Sequence, residues 1–187
     1  MDYSNLAKVR AAQEFISVEK IKSNGSKQIK EFHIDCSKLE DLTGQDIRLA
    51  DNFRDMFNQL SEIVGPVVYV FEIISEFNSS QIVNCINTFS SDSLISKATP
   101  AIKKTLPESK ILYVGKVKKK FSGRLYQHLG YYKVRGTQGL QLFHWAKPLN
   151  LQIKLTVIEF ENDATEIISI LENKFANRLK PLLGKHK

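Results

Sequence analysis

Val67-Val68-Tyr69-Val70-Phe71 is an unbroken apolar run set off by Gly65-Pro66. Such a run leaves no polar side for water, so it is expected as a central strand covered on both faces. A second apolar run spans 110–117, and 151–160 alternates with Leu151, Ile153, Leu155 and Val157 on one side. Both read as strands. The segment 29–34 also alternates and reads as a strand. Helical spacing is found at 1–20, 51–63, 79–89, 94–104, 121–131, 136–145 and 164–183, with Asp51 as an N-cap and a break at Pro181. The expectation is an α+β chain whose core is a small mixed or antiparallel three-stranded sheet flanked by helices. Residues 1–65 form an N-terminal accessory segment with a strand of its own. Residues 66–187 form the main unit, with an insertion at about 75–109 between its first two strands.

At 187 residues the chain has the length of one domain with a small appendage. Its longest apolar runs are too short to cross a bilayer, and Met1-Asp2-Tyr3-Ser4 does not open a secretory signal. The two cysteines, Cys36 and Cys85, lack metal-site or redox spacing, so a reducing cytoplasm is expected. The net charge is +7, unevenly spread. Residues 110–187 carry 15 Lys+Arg against 5 Asp+Glu, whereas 1–109 carry 12 against 15. Basic charge gathered in one half points to a polyanionic partner, because neutralised phosphates release counterions. Lys118-Lys119-Lys120 is a candidate holder of a phosphate backbone, and His144-Trp145 of a base or sugar.

Four residue types that suit phosphoryl chemistry recur near the apolar strands. On a helix, His128 lies about 40° from Arg124 and Tyr131 about 20° on the other side, so the three share one face. Arginine clamps phosphate with a planar fork, and histidine moves protons near neutral pH. Glu172 stands within about 100° of Ile168, Leu171, Phe175 and Leu179 on one helix. A carboxylate on an apolar side needs a cation or donors nearby. A hard divalent ion meets that need, and so does a structural Lys or Arg. Tyr69 and Tyr113 sit in the two apolar strands, where neighbouring strands would turn both phenols to one site.

In order and spacing these residues resemble the GIY-YIG endonuclease superfamily over roughly 66–187. The first triplet is Val67-Val68-Tyr69 and the second Tyr113-Val114-Gly115, followed by Lys116. Arg124 matches the family's catalytic arginine, and His128 a histidine that its restriction-enzyme branch adds one turn later. Glu172, in Ile170-Leu171-Glu172-Asn173-Lys174, matches its metal-binding glutamate. The resemblance implies a Mg²⁺-dependent (or Mn²⁺-dependent) DNA endonuclease, in restriction or phage defence, with a homodimer as one way to cut both strands. By the resemblance Glu172 binds the metal, and Tyr69 assisted by His128 deprotonates water. Arg124 stabilises the developing charge, while Tyr113 and Lys116 position water or phosphate. Gly115, Lys118, Lys119, Lys120 and Tyr131 complete the expected substrate contacts. The chain departs from the pattern in three places. The first triplet reads Val-Val-Tyr, residues 70–112 make an unusually long gap, and Gly184 stands near the usual asparagine. Those departures leave open a DNA-binding or structural protein of the same fold with weakened turnover, besides a repair or RNA-directed nuclease.

Overall fold

A computed structural model describes residues 3–40, 46–91, 98–132 and 138–185, with side chains from residue 8 onward. The fold is α+β. Its strands are β1 (Gln28–Asp35), β2 (Val67–Ile73), β3 (Ile111–Val117) and β4 (Gln152–Glu159). Its helices are α1 (Tyr3–Asn24), α2 (Asp51–Ser61), α3 (Ser79–Ser91), α4 (Phe121–Leu129), α5 (Leu142–Trp145) and α6 (Ile168–Leu179).

The sheet has four strands rather than three, in the order β1-β4-β2-β3, with every neighbouring pair antiparallel. The additional member is β1, whose alternation was legible but whose partner was not. Lys30, Phe32 and Ile34 turn inward while Ile29, Glu31 and His33 face water, the pattern of a half-covered edge strand. β2 is the strand buried on both faces. Val67, Tyr69, Phe71 and Ile73 join one cluster with Phe53, Phe57 and Leu60 of α2 and Leu125 and Leu129 of α4. Val68 and Val70 join Val114 and Ile168 of α6 on the other face.

Several boundaries differ from the expected ones. Asp51 is the first residue of α2, not its cap; Ala50 is the cap, and Asp51 pairs with Arg54 at 2.9 Å. α4 stops at Leu129 because Gly130 takes φ 104°, a left-handed conformation that ends a helix. The expected helix at 136–145 shrinks to the four residues of α5, and 133–137 lie outside the described residues. The expected helix at 94–104 lies partly outside them as well. Its described part, 98–104, is not helical, and Ile102 instead bridges Leu183. A separate 3-10 turn occupies Asn162–Thr165 ahead of α6, which ends at Leu179 before Lys180-Pro181. The chain after α6 then runs beside β3. The N–H groups of Leu182 and Leu183 donate to Ile111 O (2.9 Å) and Leu112 O (3.0 Å). That covers the start of the β3 edge.

Glu159, the last residue of β4, is fully buried, yet its carboxylate is well supplied with donors. The N–H groups of Gly65 (2.7 Å) and Val64 (3.1 Å), the Gln28 amide (2.5 Å) and the Lys27 ammonium (3.5 Å) all reach it. One side chain thus ties the start of β1 and the turn before β2 to the end of β4. Gly65 is required there, since a Cβ would stand 2.9 Å from Glu159 Oε1 and 2.8 Å from Phe160 O. Burial pushes the carboxyl up, but the donors and Lys27 outweigh it and hold it below its ordinary value of 4.5.

Glu159→Ala is expected to cost about 1–3 kcal/mol at pH 7, because four donors, the buried Gly65 N–H among them, lose their acceptor. The folded carboxyl is the more acidic, so its contribution is present above about pH 4.5 and disappears as pH falls through the folded value. Urea unfolding of both proteins from pH 7 to pH 3 checks this. A gap that did not narrow with acid would rule out the ionised carboxylate as the cause.

Candidate functional site

β2 and β3 place Tyr69 directly opposite Gly115. A strand residue opposite glycine finds no side chain above it, so the Tyr69 ring lies down across β3. The approach is close enough that a Cβ on Gly115 would stand 2.4 Å from Tyr69 Oη and 2.7 Å from the Tyr113 ring. Gly115 was expected as a substrate contact. It is buried beneath the phenol and serves to admit it. The Tyr69 ring is enclosed by Phe121 (4.8 Å between centroids), His128 (5.3 Å), Phe71 (5.9 Å) and Tyr113 (6.2 Å). It has no exposed surface, whereas Tyr113 is half-buried.

α4 crosses the same face and delivers Arg124 and His128. His128 Nδ1 accepts from the N–H of Leu140 at 3.1 Å. A nitrogen that accepts carries no hydrogen, so the neutral ring holds its hydrogen on Nε2 and donates it to Tyr69 Oη at 2.9 Å. Burial, then the neighbouring Arg124, lowers His128 well below its ordinary range, in keeping with a neutral ring. Arg124 Nε also donates to Tyr69 Oη, at 3.3 Å, while Nη1 donates to Gln127 Oε1 and Gln138 O, each at 2.7 Å. Tyr69 therefore accepts twice, and its own hydrogen bond reaches Tyr113, which Arg124 contacts as well. The donors run from the Leu140 amide through His128 and Tyr69 to Tyr113, the phenol nearest solvent.

Burial raises the pKa of both phenols, and Tyr69 more strongly, with Arg124 opposing the rise at each. The charge of Glu172 adds a smaller part to the rise at both. Glu172 comes from α6, on the opposite sheet face. Its side chain is 13% exposed and its Oε2 meets Lys116 Nζ at 2.5 Å. Of the two cations the sequence allowed for this carboxylate, the structure supplies the lysine.

Among the described residues no group of three His, Cys, Asp or Glu could hold a metal. Mg²⁺ needs only one protein carboxylate when waters and a phosphate complete its shell. Glu172 fits that role as a hard, half-enclosed oxygen donor shared with Lys116.

Tyr69, Tyr113, Arg124 and His128 are thus gathered around one phenol pair, with Lys116 and Glu172 across the β3 edge. Tyr131 is not brought in. The helix ends before it, and its hydroxyl donates to Glu40 O at 2.8 Å. Lys118, Lys119 and Lys120 are exposed in the turn between β3 and α4. His144 and Trp145 belong elsewhere. His144 stacks on Phe89 at 4.9 Å, and buried Trp145 donates to Leu140 O. Sequence reasoning missed Gln127, although its i, i+3 spacing from Arg124 was visible. It also missed Gln138 and Leu140, which act through backbone atoms that no residue type announces.

Gly115→Ala should destabilise the protein by about 1–3 kcal/mol, the cost of overpacking against a buried ring. A melting temperature equal to the wild type would show that Tyr69 does not need the gap. Because folded His128 stays neutral and the unfolded ring titrates near 6.5, stability should fall as pH drops below 6.5. The slope approaches roughly 1.4 kcal/mol per pH unit. His128→Gln should lose that part of the decline when unfolding is followed from pH 7.5 to pH 5.5.

No known protein family, curated protein or solved structure matches the chain in comparison.

Proposed function

We propose that this protein is a Mg²⁺-dependent hydrolase of phosphodiester bonds in DNA. The observation that carries the reading is the convergence of Tyr69, Tyr113 and Arg124 on one face of β3, with the half-buried Glu172 carboxylate beside Lys116 on the other face. A divalent cation at Glu172 would supply charge that offsets the phosphate and polarises it. Arg124, braced by Gln127 and Gln138, has a guanidinium fixed in place for charge that develops on phosphoryl oxygens. Tyr113 is the better proton acceptor for water, since Tyr69 is sealed from solvent. Its phenolate form receives hydrogen bonds from Tyr69 and Arg124. His128 then works as a fixed donor that orients Tyr69, not as the group that takes the proton. The oxygen of water bonds to phosphorus as its proton passes to Tyr113, and the leaving oxygen departs on the opposite side.

The Lys116–Glu172 ion pair favours a second reading, a DNA-binding protein in which the lysine has replaced the metal. Plasmid cleavage with Mg²⁺ separates the two. On the first reading Arg124→Ala and Glu172→Ala each reduce the rate ~10²-fold or more. Binding without cleavage in the wild type would establish the second reading, and cleavage that survived both changes would refute the site. The raised Tyr113 pKa adds a pH test. Only the deprotonated phenol accepts a proton, so the rate should rise about tenfold per unit from pH 7 to pH 9. Tyr113→Phe should abolish the rise.

A further inference from the structure

Residues 98–132 and 168–185 together carry 12 Lys+Arg and 2 Asp+Glu, and one of those acids, Glu172, is already paired with Lys116. This charge is strung along the edge strand β3. Lys118, Lys119 and Lys120 lie past its end, and the phenol pair lies at its middle. At its start, where Leu182 and Leu183 run beside Ile111 and Leu112, a cleft of about 230 Å³ opens between the 103–107 segment and the end of α6. Lys103, Asn177 and Lys180 line it. Lys103 is half-buried, and neither lysine has an ion pair among the described residues.

The end of a helix normally repels anions, because its last carbonyls point outward. Two of these carbonyls are already occupied. Leu179 O accepts from Ser109 Oγ, and Ala176 O accepts from the N–H of Lys180. Lys180 itself adopts φ 51°, a conformation that suits glycine better than lysine. What remains in the cleft are two ammonium groups and an amide, all able to donate to phosphate oxygens.

We propose that the Lys103–Lys180 cleft is a second phosphate-binding subsite, which holds the backbone of a duplex to one side of the point of cleavage. The inference rests on the phosphodiester reading above for the identity of the polyanion. The dimensions agree. From Ile111 to Lys118 a strand rises about 23 Å, well within one helical turn of about 34–36 Å. A duplex laid alongside β3 would meet lysines on both sides of Tyr113. The segment before β3 then has a task, since it brings Lys103 to the cleft.

The test is fluorescence anisotropy of a labelled 20-base-pair DNA duplex with the full chain, in a chelator so that no metal-dependent cleavage occurs, across a salt series. Lys103→Gln/Lys180→Gln should weaken binding about tenfold at low salt. It should also lower the slope of log affinity against log salt by about one. The Lys→Arg pair should restore both. Lys22→Gln/Lys38→Gln, on the acidic half, removes equal charge and should change neither. With Mg²⁺, the cleft variant should raise KM and leave kcat unchanged. An equal loss in the control variant would reduce the effect to net charge and overturn the subsite. Cleavage by the wild type with unaltered binding by the cleft variant would overturn it too, while leaving the hydrolase reading in place. Binding that depends on the cleft without any cleavage would uphold the subsite and remove the hydrolase. No binding of duplex by the wild type would remove both.

Discussion

The site depends on a missing side chain. Tyr69 can lie across β3 only because its cross-strand neighbour is glycine, and everything else is arranged around that ring. Phe121 and His128 of α4 pack on it, so the phenol also fixes where the helix sits against the sheet. Once α4 is placed, Arg124 reaches the same oxygen without further adjustment. A packing constraint between two strands is thereby converted into the position of a guanidinium.

Electrostatics then divides the work among similar groups. Two phenols in contact could share one role, but burial separates them. The enclosed Tyr69 becomes a hydrogen-bonded support, while the half-buried Tyr113 faces solvent. The imidazole is similarly specialised by a single backbone amide. With Leu140 donating to Nδ1, the neutral ring donates from Nε2 in a fixed direction. On the far side of β3, Lys116 and Glu172 neutralise each other, which offsets the cost of a half-buried carboxylate.

Much of this was legible in the residues. The unbroken run around Tyr69 marked a central strand, because a strand with water on one face would alternate. Arg124 and His128 shared a helical face by spacing alone, and Glu172 stood out as a charge in an apolar stripe. What was not legible came from the backbone and from long-range pairing. Tyr131 was assigned to the Arg124 face by extending the helix, but the left-handed turn at Gly130 removes it. The partner of β1 was invisible because β1 pairs with β4, more than a hundred residues later, and no local pattern records such a choice. Gln138 and Leu140 contribute through main-chain atoms that any residue possesses.

The strand order β1-β4-β2-β3 carries a consequence for how the molecule assembles. β2 and β3 form an antiparallel pair across the intervening helix α3 and can associate early. β4 must then slot between β2 and β1, so β1 has no strand to join until β4 is in place. Such pairings between distant parts of a chain slow folding, because loop closure comes before the contacts that offset it. Glu159 is the last residue of that late strand and accepts hydrogen bonds from both flanking segments. The pairing of β4 with both β2 and β1 is therefore what joins the two parts of the sheet.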